Sequence, residues 1–298
     1  MAISTLKNCR LVSSLWNSEA TTWLKARSEI RFKYYSIDPS VTMKYFLYGH
    51  EMVHFAHPNL CMVTYCDYRE DNFARLSPYL DLLLENCNYR IPRLRCSYNR
   101  FANCIFPLRL ISRLAGNLEE LELSLQVMYD SDDVRNPATF PFVEMLLLNR
   151  FVVDLDPEAM DWKRPEKYVD LIRSLISLTN RVSFLSLTSH SAILNGIFLR
   201  EIVSNQSNAY AGLKELHVRQ INRDGLCAIE RMRPDSLVRL EIDWIRDDCE
   251  IQLVESVVQR LRNPLQVLCL GVPRNWAIVP LGELPYLERK EIYFRSEI

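Results

Sequence analysis

The sequence predicts an α/β solenoid, with short parallel strands on a concave face and helices on the convex face. A triplet of apolar residues with fixed spacing returns six times, at Leu118/Leu121/Leu123, Val143/Leu146/Leu148, Val182/Leu185/Leu187, Leu213/Leu216/Val218, Leu237/Leu240/Ile242 and Leu265/Leu268/Leu270. Segments with helical spacing of apolar residues separate the triplets. Because neither a strand nor a helix of this kind buries its apolar surface alone, the units must stack on one another.

The spacing of the triplets predicts two insertions. Their first residues lie 25, 39, 31, 24 and 28 residues apart, whereas repeats of this kind usually run about 20–29 residues. A polar, proline-containing insertion at 151–165 explains the first long interval, and polar residues at 205–208 lengthen the second. Helices are predicted at Ser191–Val203 and after Ile242, where apolar residues recur at Val254, Val257, Val258 and Leu261.

The remaining parts of the chain read as less regular versions of the same unit. Residues 29–116 contain strand-like segments at Glu29–Tyr35, Cys61–Tyr65 and Ile91–Cys96 between helical ones. A last unit, Leu287/Lys290/Ile292/Phe294, closes the array as a terminal cap. We therefore expect a short helical segment at 1–28 and a repeat domain at 29–298, irregular over 29–116 and more regular over 117–298.

Composition excludes several classes of function. The 298 residues carry a formal net charge of -1, which gives no reason to expect nucleic acid or a membrane as partner. Only seven glycines occur, and no glycine-rich phosphate-binding motif is present. The nine cysteines form neither a CxxC pair nor a disulfide framework, which favours reduced thiols in a cytoplasmic or nuclear protein. We expect no cofactor and no enzymatic activity.

The string LKNCRLVSSLWNSEA, residues 6–20, resembles the second half of an F-box. The resemblance implies that this segment contacts a Skp1-type adaptor through Leu11, Val12, Leu15 and Trp16, although simple packing of the first helices also explains these residues. The opening Leu-Pro helix of the F-box is not found before this string, so either the sequence is truncated or the motif has decayed.

The triplet array resembles the leucine-rich-repeat family, specifically the longer, helix-backed repeats that are joined to F-boxes. This resemblance implies a protein–protein interaction module, namely the substrate-recognition subunit of a Skp1–cullin–F-box ubiquitin ligase. A leucine-rich-repeat interaction protein with no link to a ligase is the alternative. In either case the bound protein is unknown.

A competing motif is His50-Glu51-Met52-Val53-His54. On a helix, this HExxH spacing places two imidazoles on one face to hold zinc, with the glutamate positioned to activate water. A zinc peptidase is therefore a third hypothesis. Against it, no third ligand follows at the usual spacing, and Pro58 would end the helix almost at once. Chance resemblance explains the motif better.

Side chains that alternate with the apolar triplet positions should look outward from the concave face, because successive side chains of a strand point to opposite sides. We expect the partner-binding residues among them: Glu120, Glu122, Met145, Leu147, Phe184, His217, Arg219, Arg239, Glu241 and Asp243. Met145, Leu147 and Phe184 would form an apolar patch of anchors with a charged surround. Alternatively, the insertion at 151–165 folds over that patch and buries it.

Overall fold

A computed structural model of the chain describes residues 29–34, 59–65, 92–99, 111, 114–127, 145–157, 169–177, 179, 181–204, 210–232, 236–276, 279 and 281–295. The chain divides into two compact units, Met1–Asn99 and Arg100–Ile298. The candidate adaptor-binding residues Leu11, Val12, Leu15 and Trp16 lie outside the described residues. The same holds for the motif from His50 to His54.

The described part of the first unit consists of three parallel strands. They are β1 (Glu29–Tyr34), β2 (Asn59–Tyr65) and β3 (Arg93–Asn99). β1 pairs with β2, and β2 pairs with β3. In β3, Leu94 and Cys96 are buried while Arg93 and Arg95 are exposed, which is the alternation of a strand with one covered face. The strands predicted near residues 29, 61 and 91 are confirmed.

The second unit alternates parallel strands with helices. Its elements are β4 (Glu120–Val127), β5 (Arg150–Pro157), α1 (Val169–Ser177), β6 (Phe184–Leu187), α2 (Ala192–Ser204), β7 (Glu215–Val218), α3 (Arg223–Met232), β8 (Arg239–Ile242), α4 (Ile251–Leu261), β9 (Val267–Pro273) and β10 (Arg289–Arg295). Each strand pairs in parallel with the strand that follows it. The predicted α/β class, with parallel strands and intervening helices, is confirmed.

The strand register aligns the apolar triplets into two rows that form the core. Register partners share a row, and the rows from β4 to β9 are Leu121, Phe151, Leu185, Leu216, Leu240 and Leu268, then Leu123, Val153, Leu187, Val218, Ile242 and Leu270. All twelve side chains are buried. The helices cover these rows with their own apolar faces, and consecutive helices pack on each other from α1 to α4.

Buried polar side chains connect the strand ends to the helices. The Ser189 hydroxyl donates to the Leu155 carbonyl and accepts the Ser191 amide at 3.0 Å. The Asn195 amide donates to the carbonyls of Ser189 at 3.0 Å and Gln220 at 2.8 Å. These bonds satisfy backbone groups that burial removes from water. They link the loop after β6 to the loop after β7.

The position of β5 corrects one predicted triplet. Of the predicted triplet Val143/Leu146/Leu148, the first residue lies outside the described residues, and Leu146 and Leu148 are not in a strand. The strand begins at Arg150, and Leu148/Phe151/Val153 takes the predicted spacing. Leu146 is 58% exposed, contrary to its expected place in the core. Phe151 was not predicted in this role, because Met145, Leu146 and Leu147 offer a denser apolar run just before it. The start of the supposed insertion at 151–165 is therefore strand.

Candidate functional site

The face of β4–β10 opposite the helices, here called the open face, carries three rows of side chains. The first row is Glu120, Arg150, Phe184, Glu215, Arg239, Val267 and Arg289. The second is Glu122, Val152, Ser186, His217, Glu241, Cys269 and Glu291. Ser124 and Asp154 begin a third row, which continues at the strand ends with Thr188, Arg219 and Asp243 and closes with Gly271 and Tyr293.

Most of these side chains reach solvent. Glu120, Glu122, Phe184, His217 and Asp243 are half-buried, whereas the core residues that alternate with them are fully covered. Strand geometry explains the difference, since successive side chains point to opposite faces and the helices cover one of them. The open face is therefore a polar surface on rigid elements, which is the usual support of a binding site.

Arg150 and Phe184 form the most specific contact in the first row. The guanidinium carbon of Arg150 lies 3.6 Å from the centre of the Phe184 ring, within the range of a cation–π interaction. Arg150 is exposed and Phe184 is half-buried. The pair presents an aromatic ring and a guanidinium side by side, the two kinds of group that dominate binding energy at protein interfaces.

Two strands of the open face carry an Arg–Glu ion pair at the same register. Arg239 Nε and Nη2 donate to Glu241 Oε1 at 3.0 and 2.6 Å. Arg289 Nε donates to Glu291 Oε1 at 2.8 Å, and its Nη2 lies 2.7 Å from the same oxygen. Surface pairs of this kind contribute little to stability. Their effect is to hold positive charge in the first row and negative charge in the second.

Ser186, His217 and Asp243 form a hydrogen-bonded chain across β6, β7 and the end of β8. Ser186 Oγ lies 2.8 Å from His217 Nδ1, and His217 Nε2 lies 3.3 Å from Asp243 Oδ1. With a neutral imidazole, Nε2–H donates to the carboxylate and Nδ1 accepts the serine hydroxyl. The residue types match a hydrolytic triad, but Ser186 is only 3% exposed, so a substrate carbonyl cannot reach its hydroxyl. These hydrogen bonds orient His217, and they do not present the Ser186 hydroxyl as a nucleophile.

Two buried thiols, Cys269 and Cys249, are also poor nucleophiles. Burial, together with the nearby carboxylates of Glu241 and Glu291, raises the pKa of Cys269 in the second row. Burial and the neighbouring Asp248 raise the pKa of Cys249 to about 12. Because the thiolate is the reactive form, a raised pKa lowers the reactivity of both side chains. They act as small apolar groups in the packing.

The structure places eight of the predicted partner-binding residues on the open face: Glu120, Glu122, Phe184, His217, Arg219, Arg239, Glu241 and Asp243. The placement of Met145 was wrong, since it is fully buried and forms a bridge with Thr179. Leu147 is 53% exposed, but it lies in the turn before β5 and not on a strand. The predicted patch of Met145, Leu147 and Phe184 therefore does not exist as one surface.

Sequence reasoning missed part of the face. Shifting the second triplet to Leu148/Phe151/Val153 brings in Arg150, Val152 and Asp154, and the cap strand adds Arg289, Glu291 and Tyr293. The signal for β5 was present in Val152 and Val153, since β-branched residues favour strands. The polar residues Asn149 and Arg150 that precede them obscured it.

Within the described ranges, no group of three or more His, Cys, Asp and Glu side chains is placed to hold a metal ion. The helices described there include none that is long and apolar enough to cross a bilayer.

Comparisons with protein-family models, with curated proteins and with solved structures found no significant match to this chain.

Proposed function

We propose that the chain is a leucine-rich-repeat solenoid that binds a protein through its open face, as the substrate-recognition subunit of a Skp1–cullin–F-box ubiquitin ligase. The observation that carries the binding role is the three-row arrangement of half-buried polar side chains around Arg150 and Phe184. The F-box-like string at residues 6–20 supports the link to a ligase. In this function the chain holds a target, and other subunits carry out the chemistry.

The charges of the open face specify the partner further. Its three rows contain seven carboxylates and four guanidinium groups, so the face is acidic at neutral pH. Complementary charge steers association and disfavours partners of the same sign. The bound protein therefore presents a basic surface, with an apolar or aromatic group that packs against Phe184. Binding weakens as the salt concentration rises.

The binding role is tested by affinity capture with the whole chain and its variants. Glu215→Arg reverses a negative charge at the register position beside Phe184 and opposes a basic partner, so we expect recovery of the specific partner to fall at least about tenfold. Glu255→Arg is the matched control, because Glu255 is a half-buried glutamate on α4. The role is rejected if both variants recover the same proteins in the same amounts as the unchanged chain.

The ligase link requires a separate measurement. Isothermal titration of the chain with a purified Skp1-type adaptor should give a saturable complex, and Leu15→Asp should abolish it. Leu147→Asp alters an exposed leucine outside the F-box-like string and should leave the affinity unchanged. No adaptor binding, together with retained partner capture, would favour the alternative of an interaction protein with no ligase link.

A further inference from the structure

Among the described strands, β10 is paired along one edge only. Its register joins it to β9, and no other described strand pairs with it. The Arg289 amide donates to the Gln266 carbonyl at 3.1 Å, on the β9 side. Because backbone groups alternate in direction along a parallel strand, those of Lys290, Ile292 and Phe294 point away from β9. Within the described part of the chain, no backbone partner is found for this row of donors and acceptors.

The core-facing side chains of β10 also reach solvent. Leu268, Leu270 and Val272 of β9 are fully buried. Their register partners in β10 are Lys290, Ile292 and Phe294, and Phe294 is 52% exposed while Ile292 is half-buried. An exposed edge strand with apolar side chains is a site for pairing with another strand.

We propose that β10 pairs antiparallel with β10 of a second copy of this chain, with Tyr293 on the twofold axis. In this register Ile292 lies opposite Phe294 of the second copy, and both have outward-pointing backbone groups. Each such pair makes two backbone hydrogen bonds, because each residue donates its N–H to the carbonyl of the other. The twofold axis generates two pairs and therefore four inter-chain hydrogen bonds. Glu291 lies opposite Arg295, which places opposite charges at both ends of the pairing.

The sequence of β10, RKEIYFR, favours this register over the two that are shifted toward its N-terminal end. Placing Ile292 on the axis sets Arg289 opposite Arg295, and placing Glu291 on the axis sets two carboxylates against each other. Like charges directly opposite on paired strands are destabilising. A twofold contact also closes on itself, so pairing stops at the dimer and does not continue into a fibre. Because β10 is complementary to itself in this register, a second copy fits its edge better than an unrelated strand does.

The oligomeric state of the full chain is the first test. Light scattering during gel filtration should show a dimer whose fraction rises with concentration. Phe294→Lys should shift the chain to monomer, because it places cations opposite Ile292 at both ends of the pairing. Tyr286→Lys is the matched control, since Tyr286 is 62% exposed and lies outside the strand. A chain that stays monomeric up to about 100 μM has a dimer Kd above about 100 μM, and this result would overturn the proposal. A dimer that Phe294→Lys leaves unchanged would also overturn it.

A cross-linking experiment tests the register itself. Tyr293 of the two copies forms a pair without mutual backbone hydrogen bonds, in which the Cα atoms lie about 4.5 Å apart, within the range of a disulfide. Tyr293→Cys should therefore give a covalent dimer under mild oxidation, at a rate well above that of the unchanged chain with its native thiols. Tyr286→Cys should remain at the background rate. Equal rates for the two variants would overturn the register, and circular dichroism confirms that both variants are folded.

Discussion

At the scale of single residues, Thr179 and Tyr210 show how a buried polar pair is held. The Thr179 hydroxyl donates to the Ile176 carbonyl at 2.7 Å, so the Tyr210 hydroxyl, 2.9 Å away, must donate to Thr179. Both residues are buried, and burial raises the pKa of Tyr210. Thr179 therefore both donates and accepts, whereas the Tyr210 hydroxyl only donates in this pair of hydrogen bonds.

We therefore expect Thr179→Val to cost more stability than Tyr210→Phe. The valine leaves the buried Tyr210 hydroxyl without a partner, at roughly 2 kcal/mol of unfolding free energy. The Ile176 carbonyl keeps the Thr179 backbone amide as its donor at 3.1 Å. The phenylalanine removes the hydroxyl together with its bond to Thr179 and leaves no buried donor unpaired, at about 1 kcal/mol. Urea unfolding of both variants and of the double variant measures the difference. Equal costs would contradict the donor order.

Residue by residue, the sequence predicted the open face where the triplet was correctly placed and failed where it was not. Phe184, His217 and Glu241 alternate with buried leucines, so strand periodicity alone placed them. Met145 was misplaced because a shift in the assumed strand changes which side chains are buried. The contact between Ser186 and His217 joins residues of different strands, and no sequence pattern predicts it.

At the scale of elements, the crossing of α2 and α3 depends on a close approach at Gly196. A Cβ atom at this position would collide with Oδ1 of Asn222, which accepts the Gly225 amide at 3.1 Å at the start of α3. The missing side chain thus permits both the approach of the helices and the capping bond. Gly196 has no left-handed backbone, so packing and not conformation requires glycine here.

Gly196→Ala should destabilise the chain by about 1–3 kcal/mol, although alanine is the better helix former. The collision must displace Asn222 or push α2 from α3. Gly212→Ala is the matched control, because nothing lies within 4 Å of its added Cβ, and it should be neutral or stabilising by up to about 1 kcal/mol. Thermal unfolding compares the two. A Gly196→Ala variant as stable as the Gly212→Ala variant would disprove the close approach.

Element prediction succeeded where apolar spacing was unambiguous. The stripe of Val254, Val257, Val258 and Leu261 gave α4, and all four side chains are buried. Two aspartates, Asp247 and Asp248, precede α4 and are residue types that often cap helices, but the N-terminal cap is Glu250, which makes no side-chain hydrogen bond. Capping depends on the backbone path into the helix, which the residue type alone does not determine.

At the scale of the whole second unit, packing links each element mainly to its sequence neighbours. Pairings run from β4 to β10 in chain order, and α2 packs on both α1 and α3. The sequence predicted this order because each apolar triplet needs a neighbour of the same kind. It did not predict where the sheet ends in exposed apolar side chains, since that depends on what lies beside β10.

Because each element packs mainly on its sequence neighbours, a destabilising substitution should affect the adjacent elements most. Leu240 is fully buried in β8, and Leu240→Ala leaves a cavity costing about 2–5 kcal/mol. We expect hydrogen exchange, measured by mass spectrometry, to accelerate most in β7, β9 and the helices α3 and α4, and least in β4. Lys290→Ala, at the same register position of β10 but exposed, should leave all these segments protected. Uniform acceleration from β4 to β10 would mean that the unit unfolds as one block, because local opening would then have no role in exchange.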